Sequence, residues 1–517
     1  MKAVIVVPPI EDFYSTPHRL SALGARVVQQ LIEQAGHSSL FFNFPLEGKK
    51  TVPLPAHLSY LKPYIYPGEW GPTSFFTAYK RFGGDYLSCA ERIISSKPDL
   101  ICISCFAFCY ADSALYLAAA CKKLSPRTRI AAGGAGPTVF PHYFLKSGNI
   151  DFVFTGEAEQ SFPRFLTQFE KAGPDGPDYS GIPNLFMPEE NPPPEIPSAS
   201  PFEVQFAGTI IDFKRTRLFS TSLTRGCPRS CAFCSIRLCH GDRFRTVALG
   251  VIEQEAEKLP SDKPLVVNFE DDNLLLDPDY FFSVLDCFRS RFPNIRFIAE
   301  NGLDYTLLSP ELLTDMKRAG FEKINLTLGS ADPAVLTPEN RGINRHRFET
   351  VIEAAAEKGF EIITYVIAGL THDSADAAVR SLTYLYTLPT KVGLSLFYPV
   401  PGIKGFENRD RFLSHPSSLT AGSSAYPWNN TLSTKELITL FRLARTVNFL
   451  KSPFHKRAAD SGTAGHPGPN PELEKLKNTV LGSGELYSYR RSGKEKQLLR
   501  ITSAEQQMVD RFFSNLP

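Results

Sequence analysis

Thr224-Arg-Gly-Cys227-Pro-Arg-Ser-Cys231-Ala-Phe233-Cys234-Ser235 is the stretch on which the reading of this chain turns. Its three cysteines, spaced Cys-x3-Cys-x2-Cys, directly follow an apolar strand-like segment from Leu218 to Leu223, and Gly226 and Pro228 mark a loop rather than a core strand. Three thiolates close together on one loop can hold three irons of a [4Fe-4S] cluster and leave the fourth iron open for a substrate or cofactor. The alternative is a zinc site. Structural zinc sites pair two C-x2-4-C knuckles across a gap, and here Cys239 and His240 could add ligands only from the same local segment.

Working outward from the loop, an alternating series of apolar strands and amphipathic helices runs from Leu218 to about Pro401. Strands are expected at Phe219–Leu223, Leu265–Phe269, Arg296–Glu300, Lys323–Leu328, Glu361–Ile367 and Gly393–Tyr398, separated by helical stretches such as 310–319 and 347–358. Six such units describe a partial (β/α)6 TIM-type barrel, with chemistry at the C-terminal ends of its strands. The cysteines follow the first of those strands directly.

Upstream, residues 1–171 alternate in the same way. Strands are expected at Lys2–Val7, Ser38–Phe42, Leu100–Ser104, Arg129–Ala132 and Phe152–Phe154, with helices at 85–96, 111–124 and 159–171. This describes an α/β, doubly wound, Rossmann-like domain whose ligand crevice lies beyond the carboxyl ends of its strands. Residues 45–84 break the rhythm with prolines and aromatics and read as an insertion; the part from Tyr60 to Phe82 could shape a pocket or simply be core. A proline-rich linker, 172–204, precedes the barrel region at 205–402. The remainder, 403–517, is expected to be small and mainly helical: Ser433 with Glu436 forms a capping box for a helix to about Leu450, 459–473 is a Gly/Pro-rich loop, and the last 45 residues read as a helical tail.

At 517 residues and a net charge of +2, the chain is too long for one ordinary core and carries no basic or acidic run that implies nucleic acid. The apolar run after Met1 stops at two prolines and is too short for an export signal, and no stretch approaches a membrane span. Ten cysteines without such a signal favour reduced thiols and a cytoplasmic setting. Cys102 in a strand-like run and Cys121 in an Ala-rich helical run, like most of the cysteines of the first third, read as small buried hydrophobes.

The loop resembles the radical S-adenosylmethionine (SAM) superfamily, whose Cys-x3-Cys-x-aromatic-Cys signature is met by Cys227, Cys231, Phe233 and Cys234. The resemblance implies that the cysteines ligate the cluster, that the methionyl amine and carboxylate of SAM take the open iron, and that Phe233 lies against the adenine. It also implies an external one-electron reductant of flavodoxin or ferredoxin type, and reductive cleavage of SAM to a 5′-deoxyadenosyl radical. Phe269-Glu270-Asp271-Asp272-Asn273 is similar to the family segment that contacts the methionyl amine, with Glu270 and Asp271 as the candidate carboxylates; the alternative is an acidic N-cap for the next helix. Glu300 is a candidate for the ribose or methionyl group, or else a surface carboxylate. Val366-Ile-Ala-Gly369-Leu370 resembles the segment whose backbone follows the adenine, and Arg341-Gly342 and Tyr398-Pro-Val-Pro-Gly402 resemble further stretches of cobalamin-type members. One departure stands out: where many relatives carry Glu-Ser-Gly after the fourth strand, Gly329 replaces the carboxylate.

In the first domain, Pro98–Ser104, Ala131–Thr138 and Asp151–Glu157 resemble, in order and spacing, the cobalamin (B12)-binding domain found ahead of many radical SAM enzymes. That resemblance implies cobalamin contacts at Ser104, Gly133, Gly134, Gly156 and Glu157; without it, the glycines are tight βα turns. No Asp-x-His-x-x-Gly motif is present, and His18 and His142 are poor substitutes, so the expected cobalamin lacks a lower axial histidine. The resembling group mostly transfers methyl groups, here to an unactivated carbon of a small-molecule, peptide or lipid substrate. Alternatives are a radical rearrangement, cyclisation or sulfur insertion without methyl transfer, and a non-catalytic electron-transfer or sensor protein.

Overall fold

The computed structural model describes residues 1–14, 21–171, 178–188, 204–452, 470–492 and 495–517. Most of the proline-rich linker, His18 and most of the 459–473 loop lie outside the described residues.

The N-terminal sheet contains β1 (Lys2–Val7), β2 (Ser38–Asn43), β3 (Leu100–Ser104), β4 (Arg129–Gly133), β5 (Phe152–Phe154) and β6 (Leu185–Phe186), in the order β6-β5-β4-β3-β1-β2. All pair in parallel except β6, which runs antiparallel along the edge, so part of the stretch read as linker is a strand. Ala3 to Val7 are at most 1% exposed, as expected of a central parallel strand covered on both faces. Helices α1 (Leu23–Gln34) and α4 (Ala158–Glu170) cover one face through Val27, Leu31, Phe162 and Phe165. On the other, α2 (Tyr86–Ser95, N-capped by Asp85) and α3 (Ala111–Leu124) pack through Ala90, Ile93, Leu117 and Ala118. The chain leaves β1 for β2 on one side and returns to β3 on the other. The crevice beyond the ends of β1 and β3 is therefore the switch point at which such sheets bind ligands.

Seven strands form the second unit: β7 (Gly208–Asp212), β8 (Arg217–Thr221), β9 (Leu265–Phe269), β10 (Arg296–Ile298), β11 (Lys323–Gly329), β12 (Glu361–Ala368) and β13 (Lys391–Leu396). The last six are the six expected from the sequence. β7 is an additional antiparallel edge, and β8-β9-β10 and β11-β12-β13 form two parallel sheets. Among the described residues the backbone ladder between them is reduced to the isolated bridges Phe297–Phe321 and Leu303–Leu326, where β10 stops at Ile298, short of the expected Glu300. Stacked rings at the seam, Phe269–Phe297 at 5.7 Å and Phe297–Phe321 at 5.6 Å, take over there from the missing ladder. The outer helices are α5 (Leu249–Lys258), α6 (Pro278–Arg291), α7 (Pro310–Ala319), α8 (Arg345–Glu357) and α9 (Ala375–Thr387).

The insertion joins the scaffold. Glu69 makes two hydrogen bonds, 2.5 and 3.0 Å long, with Arg442 of α10 (Thr434–Lys451), and both side chains are at most 1% exposed. Glu69–Trp70 also adds a strand to a hairpin, Tyr487–Ser492 with Glu495–Arg500, which lies between α11 (Pro471–Ser483) and α12 (Gln506–Ser514). The tail is thus not wholly helical, because the polar alternation of Tyr-Ser-Tyr-Arg-Arg forms a strand once Glu69–Trp70 pairs with it. The expected capping box of Ser433 and Glu436 opens α10. Among the described residues, no helix is long and apolar enough to cross a membrane.

Candidate functional site

The cysteine loop leaves β8 and is framed by a two-residue ribbon, Thr224–Arg225 against Arg245–Thr246. Gly226 starts it at φ +84°, and a Cβ there would stand 2.2 Å from the Arg243 carbonyl oxygen, so glycine alone fits. Carboxyl groups beyond β9 hold the loop in place: Asp272 Oδ2 accepts from Gly226 N at 2.9 Å, and Asp271 Oδ1 accepts from Leu223 N, Thr224 N and Thr224 Oγ1 at 2.9, 2.7 and 2.6 Å. Segment 339–341 docks on the other side, where Ala232 N donates to Glu339 O at 2.9 Å and Asn340 Nδ2 to Ser230 O at 3.3 Å.

Cys227 and Cys231 are half-buried and Cys234 is exposed. Asn273 Nδ2 lies 3.7 Å from Cys227 Sγ and Arg341 Nη1 3.7 Å from Cys231 Sγ, so two of the sulfurs face donors suited to thiolates. Among the described residues, no trio of His, Cys, Asp or Glu converges on a point that one metal ion could occupy. Cys239 is buried behind the loop, outside the Cys-x3-Cys-x2-Cys spacing of the other three.

The expected SAM residues divide. Glu270 faces a cavity and accepts from Ser21 Oγ at 2.6 Å, a bond between the two units, while Asn268 Nδ2 lies 3.3 Å from its other oxygen. Asp271 turns inward: it is 4% exposed, its Oδ2 lacks a partner, and burial pushes its carboxyl up to about 7 against the hydrogen bonds of Thr224 and Leu223. Its place is under the loop, and Asp272 lines the cavity instead. Glu300 pairs with Lys323 at 2.9 Å inside the barrel. Phe233 packs against the cluster of Val335, Leu336, Leu370 and Ala377, which puts its ring beside the Val366–Leu370 segment. Gly369 donates its N–H to Asp373 Oδ2 at 2.8 Å and accepts Asn429 Nδ2 at 3.0 Å.

A cavity of about 410 Å³ opens between the units. Ser104, Gly133, Gly134, Gly156 and Glu157, all five expected cobalamin contacts, line it beside Glu270, Asp272 and Cys239. It continues down between the sheet and its helices, past Val27, Val28, Cys102, Phe154 and Phe162. At Gly134, φ is +107° and a Cβ would meet the Cys105 carbonyl oxygen at 2.7 Å. A Cβ on Gly133 would meet nothing nearer than Phe154 at 3.9 Å; hydrogen there leaves open space for a ligand. Glu157 lines the cavity with its carboxylate already engaged. Arg245 donates to its two oxygens at 2.7 and 2.5 Å, His240 Nδ1 lies 3.1 Å away and Arg225 3.7 Å. Burial alone would raise the Glu157 carboxyl, but the hydrogen bonds of Arg245 and His240 and the charge of Arg225 hold it well below the usual carboxylate range. Arg225 also donates to Glu159 at 2.6 Å. His142 packs edge-on to Phe186 on the edge strand, 6.0 Å between ring centres.

The Radical SAM superfamily profile matches residues 221–385, and the B12 binding domain profile matches 87–166. The chain carries a radical SAM domain preceded by a B12-binding domain. The cysteine loop and the cavity's glycine turns therefore fall in two recognised domains, one on each side of a shared opening. The chain is 29% identical over 206 residues to the bacteriochlorophyllide d C-12(1)-methyltransferase of Chlorobaculum tepidum, which covers 38% of this chain and 44% of that one. It is 21% identical over 328 residues to the hopanoid C-3 methylase of Methylococcus capsulatus, covering 62% of each. The aligned stretches thus span about half the length of these relatives. Among solved structures, the radical SAM methyltransferase TsrM of Kitasatospora setae, with cobalamin and a [4Fe-4S] cluster bound, shares the fold at a TM-score of 0.57 and 14% identity, over 79% of this chain and 75% of that one.

Sequence reasoning missed Ser21, Arg225, Arg245 and His240 as parts of this junction. Arg225 stands two residues before Cys227, but nothing in the sequence distinguishes it or Arg245 from exposed arginines; the partners, Glu157 and Glu159, lie more than sixty residues away.

Proposed function

We propose that this chain is a cobalamin-dependent radical SAM methyltransferase that adds a methyl group to an unactivated carbon. The observation that carries the reading is the single cavity touched both by the glycine turns of the B12-binding domain and by Glu270 and Asp272 next to the cysteine loop. A [4Fe-4S] cluster held by Cys227, Cys231 and Cys234 beside this cavity would supply the electron for reductive cleavage of SAM, and a methylated corrin held by the glycine turns would supply the methyl group.

The residues do the positioning. Cys227, Cys231 and Cys234 hold the cluster, Glu270 takes the methionyl ammonium in exchange for Ser21, and Phe233 and the Gly369 segment flank the adenine. Gly133, Gly134 and Gly156 let the corrin or its tail lie against backbone, while the apolar walls between α1, α4 and the sheet exclude water. This reading assigns the corrin no lower-face histidine: the chain lacks an Asp-x-His-x-x-Gly motif, His142 is packed on Phe186, and His240, which lines the cavity, lies 3.1 Å from Glu157. The electron comes from an external flavodoxin- or ferredoxin-type donor in the cytoplasm. The working units are residues 1–171, 205–402 and 403–517, with the third braced to the first through Glu69 and Arg442.

Anaerobic incubation with SAM, a reductant and candidate substrates tests the reading. Formation of both 5′-deoxyadenosine and S-adenosylhomocysteine is expected; 5′-deoxyadenosine alone would move the chain to rearrangement chemistry. Absence of corrin absorbance after cobalamin reconstitution would remove the methylcobalamin step.

A further inference from the structure

Arg341 is held by one strand and aimed at one sulfur. Its Nη2 donates to the carbonyl oxygen of Thr327 on β11 at 2.7 Å and to the Thr327 hydroxyl at 3.0 Å, which leaves Nη1 3.7 Å from Cys231 Sγ. A guanidinium is planar and permanently charged, so two contacts on one nitrogen fix where the other points. The two residues before it grip the loop itself, through Glu339 O to Ala232 N and Asn340 Nδ2 to Ser230 O, so the distance from Arg341 to Cys231 is set from both sides. Across the loop, Asn273, 6% exposed, places Nδ2 3.7 Å from Cys227 Sγ. Cys234, the exposed member, takes its hydrogen bond from the backbone of Ile236. The three sulfurs thus differ: one faces a cation, one a neutral amide, and one only backbone.

We propose that Arg341 and Asn273 are positioning residues that set the reduction potential of the cluster, Arg341 through charge and Asn273 through a neutral hydrogen bond. Reduction adds one negative charge next to Cys231, and a fixed cation at that distance stabilises the reduced form more than the oxidised one. This raises the potential and lets a modest cellular reductant load the site. The inference rests on the cluster reading above.

The test uses full-length protein reconstituted with iron and sulfide, as wild type and as R341Q, R341K and N273A, titrated potentiometrically without SAM and followed by electron paramagnetic resonance. Equal iron content is expected in all four. The R341Q midpoint should fall by at least a tenfold change in the reduction equilibrium, about 59 mV for a one-electron couple. N273A should shift less in the same direction, and R341K should lie between wild type and R341Q. An R341Q midpoint equal to wild type at equal iron overturns the proposal. So does loss of iron in R341Q with R341K titrating as wild type, since Arg341 would then be holding the loop together rather than tuning it. A wild-type protein that takes up no cluster would sink the cluster reading itself, a separate failure.

Discussion

Arg245 holds both oxygens of Glu157, at 2.7 and 2.5 Å, and so pins the turn that follows β5 of the B12-binding domain to the ribbon that frames the cysteine loop. Both side chains are nearly buried, at 10% and 13% exposure. Removing one partner leaves the other charge only partly compensated, by Arg225 and His240 for Glu157, which costs up to about 3 kcal/mol. Glu157→Ala and Arg245→Ala are each expected to lower the thermal midpoint of the apo-protein, and the double variant should cost little more than either. Strict additivity of the two losses in a double-mutant cycle would show that the pair is not coupled. Because the folded Glu157 carboxyl is held low, its stabilisation is present at neutral pH and is lost only as the medium is acidified through and below the ordinary carboxylate range.

Neighbouring glycines should fail in different ways. At Gly134 a side chain meets the Cys105 backbone in a left-handed conformation, so Gly134→Ala strains the fold by about 1–3 kcal/mol and lowers the melting temperature without ligand. At Gly133 the new atoms enter the cavity, so Gly133→Val should leave the apo-protein's melting temperature nearly unchanged while abolishing cobalamin uptake, read by corrin absorbance after gel filtration. Normal cobalamin uptake by Gly133→Val would place the corrin elsewhere.

Most of the fold was legible because its strands are short, mostly apolar and separated by helices of 3.6-residue period. β1, β3, β5 and β9 fall on the expected residues, as do α3 and α7. The cysteine loop was legible because its spacing has few other uses. What escaped depends on partners distant in sequence. The hairpin at Tyr487–Arg500 exists because Glu69–Trp70, over four hundred residues earlier, completes its sheet. Asp271 was read with Glu270 as a SAM contact. Successive residues leaving a strand point to opposite sides, so one faces the cavity and the other lies under the loop. Glu157 was read as a cofactor contact because its turn resembles one, and the two arginines that claim it lie on the other unit.

Four cysteines lie within thirteen residues of one another, and they should separate cleanly on substitution. Cys227→Ala, Cys231→Ala and Cys234→Ala are each expected to lose the brown chromophore and most bound iron after anaerobic reconstitution. Cys239→Ala should retain both, since Cys239 is buried behind the loop and stands outside the three-cysteine spacing. Iron loss in Cys239→Ala matching that of the other three would make it a ligand and redraw the site.

Asp271 gives the loop a pH dependence opposite to that of Glu157. Burial raises its folded pKa to about 7, above the unfolded value of about 3.9. Its contribution is therefore fully present below the unfolded value and declines as pH rises through the interval up to the folded one, as the unfolded chain ionises and the buried carboxyl resists. Asp271→Asn keeps an oxygen for Thr224 and Leu223 and puts an amide where Oδ2 lacks a partner, so its own cost is the same at every pH. The melting temperature of Asp271→Asn relative to wild type, both without cluster, should thus improve steadily from about pH 4 to about pH 7 and level off above that. A difference that stays constant across this range would mean that Asp271 is ionised in the folded chain, and that the loop is held by a carboxylate rather than by a carboxylic acid.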